Sequence, residues 1–276
     1  MKKFFSLSVI IVLAATLFWG CEKKGDAPTL PPAATMTIDF SEFVAGTKSA
    51  TIIQDSKGTL TVTNTNWTVA ASVAGVWNSI IALNLAIPVA AFHLASENKP
   101  DYLDDRKWQW KYSALVLGAT YTARLTGQIR SSDIKWEMYI SREGVGGFGE
   151  FLWFEGTSNL DGKSGQWILT QSQQQQVPML QIDWAREGEV VGSIKYTYIK
   201  TGEAFKDSYI QYGLTTNSLD GFYSVHFFET NRAKFVDVNI EWSTTGHNGR
   251  IKATDYFQDS NWHCWDANGN DVACPN

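Results

Sequence analysis

The stretch Gly144-Val145-Gly146-Gly147-Phe148-Gly149 has the G-x-G-x-x-G spacing that cradles the pyrophosphate of a dinucleotide. That chemistry needs a helix directly behind the glycines, because the orphan N–H groups of its first turn hold the phosphates. Here Glu150-Phe151-Leu152-Trp153-Phe154 follows, which reads as a strand, so the spacing predicts a glycine-rich hairpin loop instead. Asp266, Asn268, Asn270 and Asp271 place oxygens at intervals suited to calcium, yet the sixth position is Asp271 rather than glycine and no glutamate stands at the twelfth. A turn held by its own Asn and Asp side chains is expected there. The histidines, His93, His226, His247 and His263, are too scattered for a metal centre, and no H-E-x-x-H, G-x-S-x-G or P-loop string occurs. His93, within an apolar run, reads as a core histidine. Glu137, Glu150, Glu155, Asp183 and Glu241 could act as acid and base, but they fall on the polar parity of strand-like segments, where a solvated sheet face is expected. These residues predict no catalytic set, no metal and no cofactor, and a chain that binds rather than catalyses.

The three cysteines separate into one and two. Met1–Gly20 opens with Lys2 and Lys3, runs uncharged and mostly apolar from Phe4 to Trp19, and ends at Gly20-Cys21. Charged start, apolar middle and small residue before the cut make a secretory signal, and the run is shorter than the roughly 20 residues that span a bilayer. A cut before a cysteine resembles the bacterial lipoprotein signal. The resemblance implies that Cys21 becomes a lipidated N-terminus, with acyl groups such as palmitate anchoring the chain in the outer membrane of the cell envelope, on a face the sequence leaves open. In an exported chain Cys264 and Cys274 then remain as an even pair, and Asn268-Gly269 between them supplies a turn, which predicts a disulfide. Residues 21–35, with Pro28, Pro31 and Pro32, read as the lipidated cysteine and a flexible tether, and 36–276 as a single domain. Without the signal, 21 basic residues face 28 acidic ones, a balance that argues against nucleic acid as a partner.

The domain itself is predicted to be all-β. From Lys107 onward apolar and polar residues alternate, with Trp108, Trp110 and Tyr112 on one parity, then Ile134, Trp136, Met138 and Ile140, then Leu180, Ile182 and Trp184, then Val236, Val238, Ile240 and Trp242. Turn signals at Ser131-Ser132-Asp133, Asp161-Gly162, Arg186-Glu187-Gly188, Thr201-Gly202, Asp220-Gly221 and Asn248-Gly249 imply hairpins. About ten strands are expected from Trp108 to Trp265, preceded by two or three near 36–44, 50–54 and 59–64, in an antiparallel meander that forms a closed or open barrel. Between the two groups, residues 69–96 hold no Asp, Glu, Lys or Arg; Val73, Val76, Trp77, Ile80, Ile81 and Asn84 follow helical spacing that Pro88 should break or kink, so one apolar helix is predicted to be buried and to plug or cover the barrel.

This architecture resembles the periplasmic lipoprotein carriers and outer-membrane lipoprotein receptors, open antiparallel barrels covered by helices, and also the Trp-rich β bodies of other secreted lipoproteins. What the resemblance implies is a lipid-anchored, non-catalytic protein that binds a hydrophobic or lipid ligand between barrel and helix. Trp77, Ile81, Trp110, Trp136, Trp184 and Trp242 are the candidate ligand-binding residues. A surface module binding glycan or protein through the loops 142–149 and 217–222 is the alternative, and a carboxylate-based hydrolase ranks third.

Overall fold

The computed structural model describes residues 25–37, 43, 52–54, 60–62, 65–116, 118–188 and 190–275. The signal segment 1–20, Cys21 and most of the strand expected over 36–44 lie outside the described residues. A small hairpin pairs β1 (Ile52–Gln54) with β2 (Leu60–Val62) and leads into the helix α1 (Asn66–Ala95). The first half of the main sheet comprises β3 (Asp101–Tyr102), β4 (Lys107–Val116), β5 (Ala119–Ile129), β6 (Asp133–Arg142), β7 (Phe148–Asn159), β8 (Ser164–Thr170) and β9 (Pro178–Glu187). The second comprises β10 (Val190–Tyr198), β11 (Tyr209–Leu214), β12 (Gly221–Glu229), β13 (Lys234–Trp242), β14 (Gly249–Lys252), β15 (His263–Trp265) and β16 (Asp271–Val272), with one helical turn, α2 (Thr254–Phe257), before β15.

These 14 strands form one antiparallel meander in sequence order, so each strand pairs with its chain neighbour. The sheet is not closed. Its two edges, β3 and β16, are two residues long, which leaves little unpaired backbone for another chain to join. Twelve strands, not about ten, lie between Trp108 and Trp265. The connections over 171–177 and 230–233 contain no glycine, and at the second Ala233 takes the left-handed backbone (φ 50°), so neither shows as a turn signal in the sequence. The signals at Gly162 and Gly188 do sit in tight turns with positive φ.

Alternation places the expected residues on the inner face: Trp108, Trp110, Trp136, Met138, Ile182, Trp184, Ile240 and Trp242 are all buried. One segment breaks parity. Phe151 and Phe154 both point inward because the β6–β7 register shifts between Met138 and Tyr139, and such a bulge turns three residues of spacing into one face. The inner rings are accommodated by glycines on the next strand. Trp108, Gly127, Trp136, Gly156 and Trp167 are successive cross-strand partners from β4 to β8, and Gly221, Trp242, Gly249 and Trp265 repeat the alternation from β12 to β15. A side chain at these glycines would collide with the neighbouring indole: a Cβ at Gly127 would lie 2.6 Å from Trp136 and one at Gly249 would lie 2.3 Å from Trp265. Large and small residues thus alternate across the strands, and the concave face is filled without splaying them.

The helix bridges the two ends of the open sheet. Thr65 caps it by accepting from the Thr68 amide (3.3 Å). The Asn66 amide donates to Asp271 (2.8 Å), and the Asn66 side chain donates to the Cys264 carbonyl (3.0 Å). The Cys264–Cys274 disulfide is formed, with Cα atoms 5.2 Å apart, and closes the loop that carries Asp271. At its other end Tyr112 of β4 donates a hydrogen bond to the Ala91 carbonyl, and Phe92 packs 5.3 Å from the Trp167 ring. The segments Asn66–Ala82 and Asn84–Ala95 meet at 59°. Pro88 has no N–H for the Asn84 carbonyl and its ring crowds that carbonyl, which bends the helix there. Among the described residues no single helix is long and apolar enough to cross a membrane.

Burial of α1 is one-sided, against expectation. Ala70, Ala74, Ile81, Leu85 and Phe92 are buried, but Val76 and Ile80 are 60% and 46% exposed. His93 is also exposed, beside Glu97, rather than in the core. The reason is geometric: a helix laid across the opening of a sheet has one face on the sheet and one in solvent, whatever its composition.

The tether expected through residue 35 is in part core. Pro28, Pro31, Thr35 and Met36 are buried, the last two in a 3-10 turn (Ala33–Met36) against the inner face. Trp167 donates its indole N–H to Thr35 (3.2 Å), and the Tyr196 hydroxyl donates to the Met36 carbonyl (2.8 Å). Phe43 continues the crossing, with its ring edge-on to Trp242 (4.8 Å) and near Tyr223 and Trp265. Prolines suit this path, because buried irregular backbone must satisfy every N–H and proline has none. The filling attributed to the helix alone is therefore shared with this N-terminal strap.

Candidate functional site

The concave face, the strap and α1 meet along one apolar trough. Of the residues proposed for ligand contact, Trp110, Trp136, Trp184 and Trp242 lie on the inner face, Ile81 is buried under the helix, and Trp77 is half-buried on it. Trp110 and Trp136 stand 6.0 Å apart, while Trp242 belongs to a second group with Tyr223 (4.7 Å, stacked) and Tyr212 (6.2 Å). The sequence reading misses Thr35, Met36, Phe43, Tyr196 and Tyr223, which complete the trough. For the tyrosines the inward parity was a usable signal; for the strap, its apolar Leu30 and Met36 amid prolines was the only one.

Polar groups in this trough are few. Trp136 donates to Ser158 (2.9 Å) and Trp265 to the His247 carbonyl (3.1 Å), but the indole N–H groups of Trp184 and Trp242 are buried without a hydrogen-bond partner. Burial pushes the Tyr112 hydroxyl far above its ordinary pKa, so it stays a neutral donor to Ala91. The trough is thus filled by its own, mostly apolar, side chains.

The candidate carboxylates serve the convex face. Glu137 lies between Lys135 (2.8 Å) and Lys107 (3.4 Å), Glu150 forms a two-point pair with Arg124 (2.7 and 3.0 Å), Asp183 accepts from Gln166 and Gln181, and Glu241 binds Arg250. Each of these carboxylates is thus engaged by neighbouring side chains of the sheet. Gly144, Gly146 and Gly147 lie in the β6–β7 connection and Gly149 in the strand that follows, without a helix behind them. Asp266 accepts from the Asn268 and Asn270 amides (both 2.9 Å), a self-contained turn in place of a calcium loop. Among the described residues no group of three or more His, Cys, Asp or Glu side chains is arranged to hold a metal ion.

A second concavity lies where the β9–β10, β11–β12 and β13–β14 connections gather. It has a volume of about 550 Å³ and is lined by Glu187, Val191, Tyr212, Leu214, Asp220 and Thr244, with Thr215 and Thr216 at its rim. Asp220 braces it: one oxygen accepts from the Thr244 amide and the other from the Thr244 hydroxyl, each at 2.7 Å. Burial pushes the Asp220 carboxyl up, but the Thr244 hydrogen bonds outweigh it and hold the group below its ordinary value. A depressed native pKa means that its stabilising effect is complete above the ordinary carboxylate range and is lost as pH falls through the native value. Denaturation midpoints measured from about pH 5 down to about pH 2 should therefore fall less steeply in Asp220→Asn than in wild type. Equal slopes would show that the carboxylate is not coupled to folding.

Comparison with protein-family models, with characterised proteins and with solved structures returned no match to this chain.

Proposed function

We propose that the chain is a lipid-anchored, non-catalytic lipoprotein of the bacterial cell envelope, acylated at Cys21, that binds a hydrophobic or lipid ligand between its barrel and α1. One observation carries this reading: an uncharged helix spans the opening of an aromatic-lined sheet and turns Val76 and Ile80 to solvent. Val76 and Ile80 stand one helical turn apart and form a small apolar patch on the outer face of α1. The helix is fixed at both ends, by Asp271 and Cys264 at one and by Tyr112 at the other, and bent between them. That arrangement allows the middle to lift while the ends hold, opening the trough to an acyl chain. Each methylene placed there would contribute about 0.8 kcal/mol.

The test is native mass spectrometry of the body from Gly25 onward, produced in an oxidising compartment and released without detergent. The expected spectrum shows a retained mass that extracts into organic solvent and that is lost in Ile81→Lys with the disulfide intact. A clean unliganded mass after exposure to envelope lipids would sink the proposal. Cys21→Ser in the full chain should abolish incorporation of labelled palmitate; continued labelling would place the acyl group elsewhere.

A further inference from the structure

The concavity at the β9–β10, β11–β12 and β13–β14 connections lies at one end of the sheet, and we infer that it binds a neutral saccharide of one or two rings. Its volume, about 550 Å³, falls in the range of small-molecule sites. Among the described residues its lining holds two carboxylates, three threonine hydroxyls, one aromatic ring and two aliphatic side chains, and no Lys, Arg or His. A phosphate or carboxylate ligand would meet Glu187 and Asp220 with like charge and find no cation, whereas sugar hydroxyls can donate to these acids and exchange hydrogen bonds with threonines. The remaining surface is apolar and suits the C–H face of a sugar ring. Tyr212 supplies that surface on a rigid backing, since its ring rests 5.7 Å from Tyr223 and 6.2 Å from Trp242.

Preorganisation distinguishes this recess from an ordinary gap between turns. The Thr215 amide donates to the Asp220 carbonyl (2.7 Å), the Thr215 hydroxyl to the Leu219 carbonyl (3.3 Å), and Asp220 ties the whole turn to Thr244 two strands away in sequence order. Polar groups already held in place lose little freedom when a ligand arrives. The recess shares the Tyr212 ring with the trough, but no residue of α1 and neither Thr35 nor Met36 of the strap lines it.

Saturation-transfer NMR with cellobiose tests the inference on the full acylated chain in phosphocholine micelles, which carry no sugar headgroup. Transfer to the cellobiose ring protons is expected, with affinity weakened about tenfold in Glu187→Gln, since the amide oxygen that replaces the carboxylate is an uncharged and weaker acceptor. Thr216→Trp, at an exposed rim position, should abolish transfer by filling the recess while leaving the thermal midpoint unchanged. No transfer to cellobiose would overturn the proposal. So would transfer that persists in a folded Thr216→Trp, which places the sugar elsewhere, or transfer to spermidine in place of cellobiose, which makes the site a cation site.

Discussion

Alanine at Gly156 should lower the free energy of unfolding by about 2 to 4 kcal/mol, although it adds a single methyl group. A Cβ there would lie 2.2 Å from the Gln166 carbonyl oxygen and 2.4 Å from the Trp167 ring. The first obstacle is backbone of the adjacent strand, which cannot rotate away, and the second is an indole with no exposed surface. Relief would require separating β7 from β8 or tilting Trp167, which would break its hydrogen bond to Thr35. Gly75 provides the contrast: it is exposed on α1 and a Cβ there meets nothing within 4 Å, so alanine should stabilise by about 0.5 to 1 kcal/mol through helix propensity. Urea denaturation of both variants measures the pair. A Gly156→Ala protein within about 0.5 kcal/mol of wild type would mean that the row of rings is looser than its geometry.

Trp167→Ala is the second large effect, with an expected loss of about 3 to 5 kcal/mol. The indole fills the space beneath Phe92 of the helix and Phe154 of the sheet, and it also anchors the strap. Truncation leaves a void bounded by three separate elements that cannot all collapse into it. Tyr196→Phe isolates the strap's share, because it removes only the donor to the Met36 carbonyl and leaves that acceptor buried, at a cost of about 1 to 3 kcal/mol. Amide exchange at Thr35 and Met36 should accelerate in both variants before the sheet opens. Global unfolding and strap exchange that remain coincident would instead make the strap one cooperative unit with the barrel.

How much of this was legible depends on whether the cause is local. Alternation in β4, β6, β9 and β13 follows from the pleat, so Trp110, Trp136, Trp184 and Trp242 can be assigned to the inner face from sequence. The Cys264–Cys274 pair follows by elimination once Cys21 is set aside as the expected acylation site. Phe151 to Phe154 is apolar on both parities, and only the cross-strand register resolves it as a bulge. Composition misled where it stood for environment: prolines at 28, 31 and 32 suggested a tether because they cannot form regular structure, yet they pack within the barrel. Val76 and Ile80 suggested burial because they are apolar, yet they face solvent. The pairing of Gly127 or Gly156 with a tryptophan is invisible along the chain, since the partners are 9 and 11 residues apart and become neighbours only through the strand pairing. The recess at Glu187 and Asp220 combines three connections, and only the loop 217–222 was foreseen as a binding element.

The meander has a temporal corollary. Its ladders join strands adjacent in the chain and can zip up hairpin by hairpin, a local process with little loop-closure cost. The contacts that complete the molecule are of another kind: Thr35 waits for Trp167, Met36 for Tyr196, and Asn66 for Asp271, across 132, 160 and 205 residues. In a chain delivered N-terminus first, the earliest segments to emerge are therefore the last to find their places. Until β16 has arrived, the N-terminal end of the uncharged helix lacks its Asp271 anchor, and that interval is when the chain is most exposed to misassociation.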